Sequence, residues 1–391
     1  MPRAFEDRPA ALWPVLAAGA IVLAAALGAA HYMEIHGHVV TGMGHEVVWG
    51  LPHVFAIFLI VAASGALNVA SVGSVFGEKA YKPHAPLSAL LAVAMLAGGL
   101  MVLVLDLGRP ERLVVAATHY NFRSVFAWNM ILYNGFFALV AAYLWVSLER
   151  RFAGWTGPVG TAAFAWRIVL TTGTGSIFGF LVARPGYASG VIAPLFIALS
   201  LAWGLAAFLL AQAALGFAGA APLPEAFRLR LRRLLGVFVA AAAWLMAIYH
   251  ATNLYWAKQS AFERFILVDG APYPFLFWAG FGIVGTGIPL LLAFHPRFAG
   301  PRSTLVAAGA VVAGAFAQLY VFIVGGQAFP LEIFPGYAVS SAFGDGAVAA
   351  YAPSLPEFLL GLGGLALAAL LAVVGARAFD VLPAATGAAG D

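Results

Sequence analysis

WGLPHVFAIFLIVAASGALNVASV, Trp49 to Val72, holds a single ionisable side chain, His53, in 24 residues. About 20 apolar residues, each rising 1.5 Å, carry a helix across the hydrocarbon core of a bilayer. The stretch therefore predicts a membrane-spanning helix, here 51–75. Working outward, the same kind of run recurs at 11–32, 86–105, 124–146, 162–182, 191–217, 234–256, 274–294, 305–324 and 355–374. The fifth is the weakest, because it holds Arg167, Thr171, Thr172, Thr174 and Ser176. Composition agrees with this count. Of 391 residues, 63% are hydrophobic and 9% charged, with a mean hydropathy of +0.94. A soluble domain is about a quarter charged, and a disordered chain is far less apolar. The fold class is all-α, a polytopic membrane protein of about ten transmembrane helices. Its 44 glycines and 22 prolines suit closely packed, kinked spans.

Residues 1–391 read as one integral membrane domain. Within it, 51–182 form a first four-helix bundle and 191–324 a second, flanked by the first span (11–32) and the last (355–374). A shift of 144 residues lays Leu90, Leu91, Val93 and Ala97 on identical residues and sets Asp106 opposite His250. Four matches in a Leu- and Ala-rich window are weak by themselves. The shift nevertheless joins helices of one direction, as parallel repeats require. The apolar run at 11–32 is too long for a signal peptide, and the residues before it are mixed in charge, so it reads as an uncleaved span.

Ten spans return both termini to one side. That side carries thirteen of the twenty bases, including Arg228, Arg230, Arg232 and Arg233; the other carries six, and Arg167 lies within a span. The positive-inside rule then puts both termini in the cytoplasm of a bacterial inner membrane. The Arg228–Arg233 cluster reads as this topology signal and as headgroup contact, not as a nucleic-acid patch. Seven of nine histidines and nine of sixteen acids fall towards the opposite, outer face. Titratable chemistry is expected there.

The chain has no cysteine, so it can ligate no thiolate-bound iron–sulfur cluster. Redox work would need a diffusible carrier or a partner chain. Asp106 opens DLGRPER at the end of the third span. It is either a proton acceptor facing a cavity, with Arg109 and Arg112 docking a partner, or half of a surface ion pair with Arg109. His53, two residues inside the second span, can relay a proton or simply be satisfied at the interface. His250, with Tyr249 and Asn253, offers the same choice. Asn121, Arg123 and Ser124 sit at the start of the fourth span, where Asn129 and Asn134 follow; such amides most often join helices. Arg167 lies about 8 Å into its predicted span, within snorkelling reach, or else lines a proton path with Gln212, Gln318 and Glu357. HYMEIHGHVVTGMGHE, residues 31–46, suggests a metal or haem site. No span carries a histidine near its centre, however, so haem is disfavoured, no metal ligands are assigned, and a solvated outer loop is preferred.

The stretches WGLPHVFAIFLIVAASGALNVASV and VLDLGRPERL (104–113) resemble the NrfD/PsrC family of quinone-interacting membrane subunits, most of all its DsrP branch, from the DsrMKJOP complex of sulfur metabolism. THYNFRSVFAWN (118–129), TGTGSIFGFLVARPGY (172–187) and FPGYAV (334–339) are similar to the DsrP and HybB branches. The resemblance implies a subunit without a redox centre of its own. It implies menaquinone or ubiquinone as diffusible substrate, bound near the outer face within the first bundle. It also implies a periplasmic ferredoxin-like iron–sulfur partner and further cytochrome and membrane subunits of a Dsr-type complex. Carried over by position, His53 and Asp106 handle the quinone and its protons, while Asn121, Arg123 and Ser176 are lesser pocket or docking residues. His250 is kept as a quinone-site candidate. Two rivals remain: a secondary transporter, which predicts an ionisable site near the bilayer midplane, and a passive anchor, which needs no pocket.

Overall fold

The computed structural model describes residues 9–217, 220–331, 346–379 and 381–382. FPGYAV therefore lies outside the described residues. Among the described residues ten long helices make the fold: α1 (Pro9–His36), α2 (Leu51–Ser74), α3 (Ala85–Leu105), α4 (Val125–Leu148), α5 (Thr156–Gly179), α6 (Ile192–Phe217), α7 (Glu225–Tyr255), α8 (Tyr273–Phe294), α9 (Pro301–Ala328) and α10 (Leu355–Ala378). Among the described residues there is no strand, as the all-α reading expected. Nine of the ten are long and apolar enough to span a bilayer; α5 is the exception. It too is 24 residues long, or about 36 Å at helical rise, and it packs between α4 and α6.

α2 is the hub. It is buried along its length and packs on α3, α5, α6, α9 and α10. Successive helices α2 to α5 pack on one another, as do α6 to α9, and α5 and α9 close back onto α2 and α6. Small residues permit the central crossing. A methyl on Gly65 would lie 1.6 Å from the Ser200 carbonyl oxygen, and one on Gly204 would lie 2.0 Å from the Gly65 carbonyl carbon. In a bilayer, where no hydrophobic force joins helices, such close backbone contact is what holds them. α10 lies against α1, α2 and α3, again through glycine: a methyl on Gly98 would meet the Gly364 oxygen at 2.3 Å.

Several helices overrun their apolar segments, because backbone hydrogen bonding continues where side-chain hydropathy stops. α7 begins nine residues before the predicted span and includes the Arg228–Arg233 cluster. Three of its four arginines have partners within the protein. Arg228 donates to the Ala299 carbonyl at 2.9 Å and the Thr304 hydroxyl at 3.0 Å. Buried Arg232 donates to the Leu292 and Phe298 carbonyls, and Arg230 meets Glu78 at 3.2 Å. These contacts tie loops to α7; Arg230 and Arg233 stay exposed. α5 likewise starts at Thr156, which makes Arg167 its twelfth residue. Arg167 is thus about 17 Å from that helix end, and it is buried with its guanidinium on protein partners, Ser64 and Asn68.

Candidate functional site

Gly50 caps α2, and Pro52 sits in the first turn, where a missing N–H costs nothing. His53 follows on that turn. Asp106 caps the far end of α3, its amide donating to the Val102 carbonyl at 3.0 Å. Because α2 and α3 are antiparallel neighbours, these two ends meet. His53 Nδ1 lies 3.3 Å from Asp106 Oδ2, the imidazole 19% exposed and the carboxylate 4%.

A third group joins them that the sequence did not single out. His38, in a short turn (His38–Val40) after α1, places Nε2 2.9 Å from the Asp106 carbonyl oxygen and 3.8 Å from Oδ1. This corrects the solvated-loop reading of the 31–46 run at that residue. Hydrogen bonding to Asp106 holds the His38 imidazole above its ordinary pKa, against the opposing effect of partial burial. Only the alternation of His36 and His38 hinted at a role. The two separate, since His36 ends α1 and turns back to the Tyr32 carbonyl at 3.0 Å.

These groups line a cavity of about 990 Å³. Its walls come from the 38–49 segment, α2, α3, the 107–121 connection, α4, α5 and Ile323 of α9. Most of the lining is apolar: Ile57, Leu100, Leu103, Met130, Ile177 and Phe178 among others, with Trp49 and Phe126 at one side. The Trp49 indole centre lies 5.4 Å from Phe178, 6.3 Å from Tyr187 and 6.4 Å from Phe126. The polar lining includes His119, Asn121, Ser124, Asn129, Tyr133 and Asn134. Asn129 spends its amide hydrogens on the Val125 and Gly173 carbonyls, the helix-joining role expected. Its Oδ1, however, is buried without a hydrogen bond, as are His53 Nδ1 and Asp106 Oδ1, which have only the ion-pair contacts at 3.3 and 3.8 Å. A buried polar atom left unpaired is costly, and three such residues around one apolar cavity mark a place for a ligand with both donors and acceptors.

Other helices fix this end of α2. Gln327 of α9 accepts from the Val48 and Trp49 amides, both at 3.0 Å, and donates to the Trp49 and Ile323 carbonyls at 2.9 and 2.8 Å. Every hydrogen-bonding position of its amide is used. α9 winds as a π-helix over Val321–Gly325 just before it, a local widening frequent at functional sites. The Leu51 amide donates to Tyr351 Oη, which donates to Glu357 Oε1, both at 2.6 Å. Glu357 Oε2 takes the Gly42 and Ser354 amides at 2.9 and 2.6 Å, and Ser354 with Glu357 completes the capping box of α10.

The remaining sequence candidates lie elsewhere. Ser176 returns its hydroxyl to the Thr172 carbonyl at 2.8 Å and is outside the cavity lining, although Ile177 and Phe178 are within it. Arg123 is exposed and outside the lining; Asn121 lines the cavity and caps the local turn by accepting from the Arg123 amide at 3.1 Å. Arg109 and Arg112 are exposed in the connection beyond Asp106. His250 sits apart, its Nδ1 2.6 Å from buried Glu263, which Asn253 also contacts at 2.7 Å. Arg167 donates to the Ser64 carbonyl at 2.9 Å and Asn68 Oδ1 at 2.7 Å, and Thr171 bridges to Ser64 at 2.6 Å. Gln212 Oε1 and Gln318 Oε1 are buried without partners.

Fold and cavity together define a multi-pass helical membrane protein with a polar site at one end of its helices. Residues 39–331 match the family model described as polysulphide reductase, NrfD; the chain belongs to this NrfD family. It is 28% identical over 378 residues to an Hdr-like menaquinol oxidoreductase integral membrane subunit of Archaeoglobus fulgidus, covering 93% of each chain. It is 27% identical to a putative dimethyl sulfoxide reductase membrane subunit of Halobacterium salinarum, covering 95% of this chain and 92% of the relative. Against a selenate reductase subunit of Mesobacillus selenatarsenatis the identity is 24%, over 83% of each.

Proposed function

We propose that the protein is the quinone- or quinol-interacting membrane subunit of a multi-subunit redox complex, and that the quinone headgroup binds in the cavity at His53 and Asp106. The observation that carries this reading is the clustering of His53, Asp106 and Asn129, each with a buried atom that makes no hydrogen bond, in a mostly apolar chamber. A quinol presents two hydroxyls and an apolar ring and tail, which match that lining. The name of the Archaeoglobus relative, a menaquinol oxidoreductase subunit, favours menaquinone over ubiquinone. The quinone supplies the two-electron, two-proton chemistry. The chain itself orients the headgroup through His53 and Asn129, excludes water with Trp49, Phe126 and Phe178, and moves protons through His53 and Asp106. With no cysteine to hold a cluster, electrons would pass to or from an iron–sulfur subunit docked at this end. Exposed Val39, Leu107, Val114 and Phe122, together with Arg109 and Arg112, offer the apolar and cationic surface for it.

We further read the site end as periplasmic and both termini as cytoplasmic, with further cytochrome and membrane subunits, and sulfur metabolism as the setting. Residues 51–182 and 191–324 would be two four-helix units, with His250 of the second opposite Asp106 of the first. The test is binding of a quinol analogue to the purified chain, followed by quenching of Trp49 fluorescence. His53→Ala and Asp106→Asn should each weaken binding at least tenfold while the protein stays monodisperse. Binding equal to the parent in both would remove the site assignment. One observation favours a second reading: Arg167 lies mid-helix in a polar group with Ser64, Asn68 and Thr171. A proton path through Arg167, Gln212, Gln318 and Glu357 would appear as proton movement into proteoliposomes that Arg167→Met abolishes.

A further inference from the structure

We infer that His38 is the proton outlet of the cavity, the group through which protons taken up at His53 and Asp106 reach the aqueous phase. The inference rests on the quinol reading above and adds a residue and a route to it. Three groups lie in series, and all three line the cavity: His53 is 19% exposed, Asp106 between the two imidazoles is 4% exposed, and His38, at 32%, is the most open to water. The spacings are 3.3 Å from His53 Nδ1 to Asp106 Oδ2 and 3.8 Å from Asp106 Oδ1 to His38 Nε2. Asp106 uses one carboxylate oxygen towards each imidazole, so it can receive on one side and deliver from the other.

The proton balance is simple. A hydroxyl of the bound ligand gives its proton to His53 Nε2, and His53 gives its Nδ1 proton to Asp106 Oδ2. His38 releases its Nε2 proton to water, and rotation of the Asp106 carboxyl group carries the proton from the His53 side to His38 Nε2 in its place. Reduction of a quinone would run the series backwards. Electrons go separately, to or from the iron–sulfur partner. His38 is well suited to its end of the relay. Its turn is anchored where Thr41 Oγ1 donates to the His38 carbonyl at 2.6 Å, and Nε2 is aimed at Asp106 through the 2.9 Å contact with that residue's carbonyl. The charged or titratable groups facing it are Asp106 from α3, His53 from α2 behind Asp106, and Glu357 from α10. The acids raise its basicity above that of a free imidazole.

The experiment uses His38→Ala and His38→Gln in the assembled complex, with quinol oxidation as one readout and analogue binding to the purified chain as the other. The expected result is at least a tenfold loss of turnover in His38→Ala with binding within twofold of the parent. Added imidazole should restore turnover in that variant and leave the parent unchanged. Unchanged turnover in His38→Ala overturns the outlet. So does a loss that His38→Gln recovers but imidazole does not, because that pattern marks a hydrogen-bonding role in the fold. Failure of the parent to bind the analogue at all would instead remove the quinol reading, and the outlet with it.

Discussion

Glu357→Gln is nearly isosteric, yet the geometry predicts a large cost. Glu357 is fully buried and accepts three hydrogen bonds: Gly42 N–H and Ser354 N–H on Oε2, and Tyr351 O–H on Oε1. A glutamine has one oxygen. If it faces Gly42 and Ser354, the new NH₂ faces the Tyr351 hydroxyl, which already accepts from the Leu51 amide. The hydroxyl can accept from both, but its own hydrogen then has no acceptor. Two bonds to a carboxylate become neutral bonds, each losing about 1 kcal/mol, and the stranded hydroxyl adds about 1–3 kcal/mol. The sum is about 3–5 kcal/mol, measured as loss of unfolding free energy in mild detergent. Tyr351→Phe breaks the same chain at the next link. The double variant should therefore lose clearly less than the sum of the singles. Analogue binding should fall in both variants, since the chain ends on the turn that carries His53. A Glu357→Gln protein within about 0.5 kcal/mol of the parent, or strict additivity with Tyr351→Phe, would refute the reasoning.

Arg167→Met should cost less than about 2 kcal/mol, because losing two hydrogen bonds is offset by relief of a buried charge. Asn68→Leu, which leaves the guanidinium with one fewer acceptor, should cost about 3–5 kcal/mol in the same unfolding assay. Gly65→Ala should cost about 3 kcal/mol or more, since backbone at Ser200 cannot yield to the methyl; size-exclusion monodispersity and melting temperature report it. The His38 imidazole is raised in the folded protein by Asp106. Its contribution to docking of the 38–41 turn is therefore complete below the unfolded pKa, about 6.5, and is lost as pH rises through the folded value. Hydrogen exchange in that turn should accelerate across this window, and Asp106→Asn should abolish the dependence.

Fold class was legible in the sequence because the bilayer sets a length and an apolarity that any span must meet. Trp49 to Val72 alone is enough to establish a crossing helix. His53 and Asp106 were legible too, as rare ionisable groups at the ends of neighbouring apolar runs whose antiparallel packing brings those ends together. His38 and Asn129 were not. His38 is one of several histidines in a polar stretch, and only the meeting of its turn with the end of α3 distinguishes it from His36. Asn129 reads as a helix-joining amide, and it is one; its unsatisfied oxygen exists only because α4 and α5 consume its other atoms. Arg167 was legible as an ionisable group in an apolar helix, but its partners Ser64 and Asn68, 103 and 99 positions away, were not. The sequence by itself determined that this chain crosses a membrane many times. Tertiary structure alone decided which of its acids and histidines share a cavity and which, like Glu357 and His250, are held elsewhere. That choice depends on contacts between residues up to about 300 positions apart, which no local pattern encodes.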